Sequence, residues 1–100
     1  MRLRWTRRAR GDLLAIGRYI ARDDPVAARR WVDRLRDRAR AAARRPLAGR
    51  VVPEFERTDL REVLLGNYRV VYRVRPKEIH MLTVFEGHRL LHVEDVTEAE

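Results

Sequence analysis

The nine residues from Gly66 to Val74, GNYRVVYRV, restrict the fold more than any other part of the chain. A β-strand sends alternate side chains to opposite faces, so Tyr68, Val70, Tyr72 and Val74 line one side while Arg69, Val71 and Arg73 line the other. A second run of strand character, EIHMLTVFE from Glu78 to Glu86, follows after Pro76 and Lys77, residues suited to a tight turn. With that turn, Arg75 faces Glu78, Val74 faces Ile79, Arg73 faces His80 and Tyr72 faces Met81. The same register sets Arg69 opposite Val84 and Tyr68 opposite Phe85. One face then carries Tyr68, Val70, Tyr72, Val74, Ile79, Met81, Thr83 and Phe85 and is expected to receive helices. The other carries Arg69, Val71, Arg73, His80, Leu82 and Val84. It is too apolar for a plain solvent face and too basic for a second core, so it is expected to be covered by a partner.

The residues before this pair supply its cover. Ala9, Leu13, Ile16 and Ile20 recur at helical spacing, with Thr6 placed as an N-cap and the helix ending near Ala21. Gly11 and Gly17 weaken that helix by up to about 1 kcal/mol each relative to alanine, so packing must hold it. Asp24 can cap a second helix with Pro25 at its first position, and Ala28, Val32, Leu35, Ala39 and Ala42 form its apolar stripe up to the stop at Pro46. The short joint implies an antiparallel helix hairpin. Leu3 to Trp5 reads as an opening strand, residues 46–58 as a packed connection, and Asp59 to Leu65 as a third meander strand turned at Gly66-Asn67. The expected fold class is α+β: an N-terminal strand and a two-helix hairpin packed on an antiparallel sheet, in the order β-α-α-β-β-β. A single domain is expected over residues 1–93, with one core and a frayed acidic tail over 94–100.

Composition narrows the chemistry. The 100 residues contain no cysteine, which removes disulfides, thiolate zinc sites and a cysteine nucleophile. Three histidines without clustered acids give no metal site, and no cofactor is expected. No run reaches the length of a membrane span, which points to a soluble, cytoplasmic protein with no membrane partner. Residues 1–50 hold 16 arginines against 5 acids, a net +11, whereas residues 51–100 carry a net −3. Of the 23 basic residues only Lys77 is lysine, a bias that genome composition can produce. A basic half of this strength suits phosphate or an acidic protein partner.

In this order the parts resemble the RelE/ParE superfamily of small bacterial toxins from type II toxin–antitoxin systems. The resemblance runs from about Trp5 to Leu91. It rests on Ala9, Asp12, Leu13, Ile16 and Ile20 in the first helix, on Pro25-x-Ala27-Ala28, and on Pro46-Leu47-x-Gly49-Arg50. It rests further on Leu60-Arg61-Glu62, on Tyr68-Arg69-Val70-Val71-Tyr72-Arg73, and on Val84-x-x-Gly87-His88-Arg89. The family implies growth inhibition, with a cognate antitoxin whose C-terminal segment covers part of the helix hairpin and the sheet. ParE-like members poison DNA gyrase; RelE-like members cut mRNA on the ribosome.

Cleavage of RNA through its 2′-hydroxyl needs a base, an acid and cations for the phosphorane. Arg69 matches the strand arginine of the nuclease branch and Arg89 the arginine after the turn, while Glu62 and His92 are the remaining candidates for proton transfer. No lysine precedes the strand and no tyrosine follows Tyr72. The Leu60-Arg61-Glu62 and Tyr68 to Arg73 words look more like the ParE branch. A non-enzymatic gyrase toxin is therefore expected, with a ribosome-dependent mRNA endoribonuclease as the alternative and a non-toxic basic nucleic-acid-binding module as a further one. Arg61, Arg69, Arg73, His80 and Arg89 are the expected antitoxin- or target-binding residues. Arg61 and Glu62 also read as one cross-strand ion pair.

Overall fold

The computed structural model describes residues 1–98. Strand β1 (Arg2–Trp5) leads into helices α1 (Arg7–Ala21) and α2 (Pro25–Arg44), followed by β2 (Arg50–Val51), β3 (Leu60–Leu65), β4 (Tyr68–Val74), β5 (Glu78–Glu86) and a single helical turn, α3 (Val93–Val96). The class is the expected α+β. The sheet has five strands in the order β1-β5-β4-β3-β2, with the meander β3-β4-β5 antiparallel and β1 lying parallel to β5. The short strand β2 pairs with β3 inside the segment expected to be a connection.

Local chemistry explains the helix boundaries. Thr6 Oγ1 accepts from the Ala9 amide at 3.2 Å, and Asp24 Oδ1 accepts from the Ala27 amide at 3.0 Å, so both helices begin on side-chain caps. Thr6 also joins helix to sheet, its hydroxyl donating to the Met81 carbonyl at 2.8 Å. Gly17 lets the helices approach closely, since a Cβ there would sit 3.2 Å from Val32 Cγ2. Trp31 leaves the stripe of α2 to pack edge-on against Tyr68, with ring centroids 5.7 Å apart.

The sheet carries an apolar layer on both faces, where one core was expected. Leu13, Leu35, Ala39, Val70, Tyr72, Ile79, Met81 and Val84 fill the space under the helices. Val52, Leu60, Val71, Leu82, Phe85, Leu91 and Val96 form a second cluster on the far face. The expected register holds from Val74 opposite Ile79 to Tyr72 opposite Met81, and then breaks: Val71 faces Thr83, so Leu82 is an extra residue in β5. Beyond this bulge Arg69 faces Phe85 and Tyr68 faces Glu86. Val84 therefore joins the helix-side core and Phe85 the far cluster, the reverse of the simple alternation.

The far face is covered by the chain itself. Val52 and Phe55 from the β2–β3 connection, with Leu91 and Val96 from the C-terminal segment, close over Val71, Leu82 and Phe85. The expected frayed tail is ordered through its described part, with Asp95 and Val96 buried. Residues 99–100 of that tail lie outside the described residues.

Candidate partner-binding site

On the far face, burial forces the charged side chains of β3 and β4 to find partners. Arg69 is buried and donates through Nε to Glu62 Oε1 at 2.6 Å and through its two Nη atoms to Glu54, 2.7 Å to each carboxylate oxygen. This is the forked geometry in which a guanidinium and a carboxylate bind most strongly. Glu62 is fully enclosed, and its second oxygen is held by Arg50. Glu54 also accepts from the Leu91 amide at 2.8 Å, so one carboxylate clamps the C-terminal segment to β4. The Arg69 hydrogen bonds draw the Glu54 pKa down from 4.5 to about 2, against the opposing effect of burial. Arg69 and Arg89 both approach the Phe85 ring, at 5.1 and 3.9 Å from its centroid.

A second polar cluster surrounds Arg73 and His80. His80 is buried, with Nε2 2.7 Å from Glu78 and Nδ1 2.8 Å from Glu98. Arg73 donates to the Val96 carbonyl at 2.9 Å and stands 3.5 Å from Glu98. Asp95 receives Arg89 at 2.8 Å and Arg8 at 3.3 Å, and accepts from the His92 amide at 2.8 Å. Burial alone would raise the Asp95 pKa. The bond from Arg89, the His92 amide and the nearby charges outweigh it and hold the carboxyl below its usual range.

The sequence-predicted residues are thus partly brought together, though not as an open surface. Arg69 and His80 lie under the chain's own cover, Arg73 is largely buried, and Arg89 is exposed. Arg61 and Glu62 are no ion pair: Arg61 donates to the carbonyls of Thr58, Leu47 and Gly49, while Glu62 points to the far face between Arg50 and Arg69. Adjacent strand residues project to opposite sides, which separates them. Of the four candidates for RNA cleavage, Glu62 has no exposed surface and both oxygens occupied, and Arg69 is saturated by two carboxylates. His92 is exposed, and Arg89 is engaged with Asp95. Among the described residues no cluster of His, Asp or Glu could hold a metal ion. No helix there is long and apolar enough to cross a membrane.

The open surface lies on the helices. A groove of about 750 Å³ runs between α1 and α2, with Leu13, Leu14, Gly17, Ala28 and Val32 along it and Trp5 at one end. Arg10, Arg18, Arg29 and Arg36 rim it, against the single carboxylate of Asp33. Leu14 is 55% exposed, a large apolar side chain turned to solvent. The family resemblance implied an antitoxin over part of the helix hairpin, but none of the groove's residues was among the sequence-predicted site residues. Its signal was Leu14, which lies off the 9-13-16-20 stripe where a polar residue would be expected on an isolated hairpin.

Comparison with known proteins adds to this geometry. Residues 3–91 match the family described as the ParE toxin of the type II toxin-antitoxin system, parDE. The protein Y4kP of Sinorhizobium fredii is 38% identical over 90 residues, covering 88% of this chain and 90% of that one. Toxin RelE2 of Caulobacter vibrioides is 36% identical over 87 residues, covering 86% and 94% of the two chains. A chain from the chromosomal ParDE TA system of P. aeruginosa superposes with a TM-score of 0.71 at 28% identity, over 86% of this chain and 95% of that one.

Proposed function

The chain belongs to the ParE toxin family of type II toxin–antitoxin systems, and we propose that a cognate antitoxin neutralises it by laying an amphipathic, acidic segment in the groove between α1 and α2. The supporting observation is the groove itself: an apolar floor open to solvent between arginine rims, on a protein whose other sheet face is already covered by its own chain. An apolar helix face with flanking carboxylates complements it in both shape and charge.

Free of the antitoxin, the toxin acts in the cytoplasm on DNA gyrase and breaks no covalent bond itself. Family membership supports this reading, and so does the state of two nuclease candidates: the proton-transfer candidate Glu62 is enclosed between Arg50 and Arg69, and the strand arginine Arg69 is spent on Glu62 and Glu54. Incubation with gyrase, ATP and relaxed plasmid is expected to block supercoiling or trap cleaved DNA. Gyrase that is unaffected by a large excess of the toxin, together with new mRNA 5′ ends in translated frames after induction, would replace this reading with the ribonuclease one.

A further inference from the structure

Two adjoining clefts run from the start of α1 to the far face of the sheet, and they share Arg4, Thr97 and Glu98. One is lined by Arg57, Arg73, Arg75 and His80 over an apolar floor of Phe55, Leu60 and Val96. The other passes the start of α1, where Arg7, Arg8 and Arg10 crowd a helix N-terminus that has no acidic residue in its first turn.

The carboxylates along this band are committed. Asp12 bonds Thr83 and Val84, and Asp95 bonds Arg8, Arg89 and the His92 amide. Asp59 takes both donors of Arg57, and Glu78 takes His80. Arg4, Arg7 and Arg75 are exposed and form no ion pair among the described residues. The charge facing the clefts is therefore strongly positive, and α1 adds the positive end of its dipole.

Arg73 supplies a second, independent observation. Its Nε is buried and has no hydrogen-bond partner among the described residues, with Asp59 beyond bonding range at 3.9 Å. A buried charged donor without an acceptor is costly. Glu98 comes only to 3.5 Å of the neighbouring Nη1 and places its stronger bonds on His80. The two non-bridging oxygens of a phosphodiester can satisfy Nε and Nη together, in the two-point geometry that Asp59 gives Arg57.

We propose that this band binds the phosphodiester backbone of a nucleic acid, and that Glu98 occupies the place of one phosphate. The C-terminal segment is then an internal stand-in for the ligand, released when the real polyanion competes for Arg73 and His80. A chain of phosphates fits better than a lone one, because the two clefts are joined at Arg4 and open to solvent along exposed arginines. This surface meets the antitoxin groove at Trp5 and Arg10 and otherwise runs on different residues, and its occupancy does not depend on which enzyme the toxin inhibits.

Fluorescence anisotropy of a labelled 16-nucleotide single-stranded RNA, titrated with the full chain at several NaCl concentrations, tests the proposal. Glu98→Gln is expected to bind severalfold more tightly than the parent. The doubly substituted Arg4→Ala/Arg75→Ala protein, altered only at exposed positions, is expected to bind more weakly. Its salt slope should fall by about 1.4, the amount two lost phosphate contacts remove on a single strand. Arg29→Ala/Arg36→Ala, on the helix groove, is expected to bind as the parent does. Unchanged affinity in Glu98→Gln, a larger loss in the groove pair, or a parent slope equivalent to a single phosphate would each overturn the proposal.

Discussion

Arg69 holds Glu54 by two parallel hydrogen bonds of 2.7 Å while its Nε reaches Glu62 at 2.6 Å, so one guanidinium joins the β2–β3 connection, β3 and β4. Removing it would strip Glu54 of its cation and leave the fully enclosed Glu62 with Arg50 alone. Breaking a buried pair in this way costs about 3–5 kcal/mol. Arg69→Met should therefore lower the urea midpoint severely. Adding Glu54→Gln and Glu62→Gln should restore part of the loss by removing the stranded charges. Stability that is unchanged in Arg69→Met would show that the far face is held by its apolar cluster alone.

The same clamp predicts an acid response. Glu54 titrates near 2 when folded and near 4.5 when free, so its folded value is depressed and its stabilising effect is complete above pH 4.5. The contribution falls as pH drops through the window from about 4.5 to about 2, and its full size is about 3 kcal/mol. Asp59 and Asp95, also held below their usual range, lose stability in the same direction. In urea titrations Glu54→Gln should be clearly weaker than the parent at pH 6, and the gap should narrow toward pH 2.5. A constant gap across that range would contradict the assignment.

The bulge at Leu82 explains both what the sequence reveals of this fold and what it hides. The helix stripes, the caps at Thr6 and Asp24 and the Pro76-Lys77 turn are local signals, and each stands where those residues imply. The face change after Leu82 depends on a contact between distant residues: Asp12 Oδ2 on α1 accepts the Thr83 hydroxyl at 2.6 Å and the Val84 amide at 3.0 Å. Period-two alternation cannot foresee a bulge fixed by a helix 71 positions away. The cover on the far face was hidden for a related reason, since Leu91 and Val96 carry no strand or long-helix pattern of their own. Asp12→Ala should cost about 1–3 kcal/mol by orphaning the two donors. It should also speed hydrogen exchange at the Val84 amide more than at Ile79. Equal acceleration at both amides would mean that Asp12 does not pin the bulge.

Gly49 permits a close approach that no other residue allows. A Cβ at this position would overlap the Tyr72 hydroxyl and come within 2.9 Å of the Glu62 carbonyl. The hydroxyl cannot simply turn aside, because it donates to the Pro46 carbonyl at 2.6 Å and the rest of the ring is buried in the helix-side core. Gly49→Ala is expected to destabilise by about 1–3 kcal/mol, as overpacking commonly does. Tyr72→Phe alone should cost about 1 kcal/mol for its lost bond. Combined, the two should cost less than their sum, because Phe removes the atom that the new methyl meets first. Strict additivity in thermal unfolding would place the strain at the Glu62 carbonyl instead.

The helix groove gives a prediction that separates recognition from folding. Leu14 is 55% exposed on the groove wall, whereas Val26, 68% exposed at the start of α2, lies outside it. Replacing either by Glu keeps a helix-compatible side chain and should shift stability by less than about 0.5 kcal/mol. If an acidic amphipathic segment docks between the arginine rims, Leu14→Glu removes an apolar anchor and adds a repelling charge. A tenfold or greater loss of affinity for a peptide of the antitoxin's C-terminal segment, about 1.4 kcal/mol, is then expected by calorimetry. Val26→Glu should bind like the parent. The parent's affinity should also decline with added salt, since exposed arginines supply the rim attraction. Equal losses in both variants would signal a general charge effect, and no loss in either would move the antitoxin to another face.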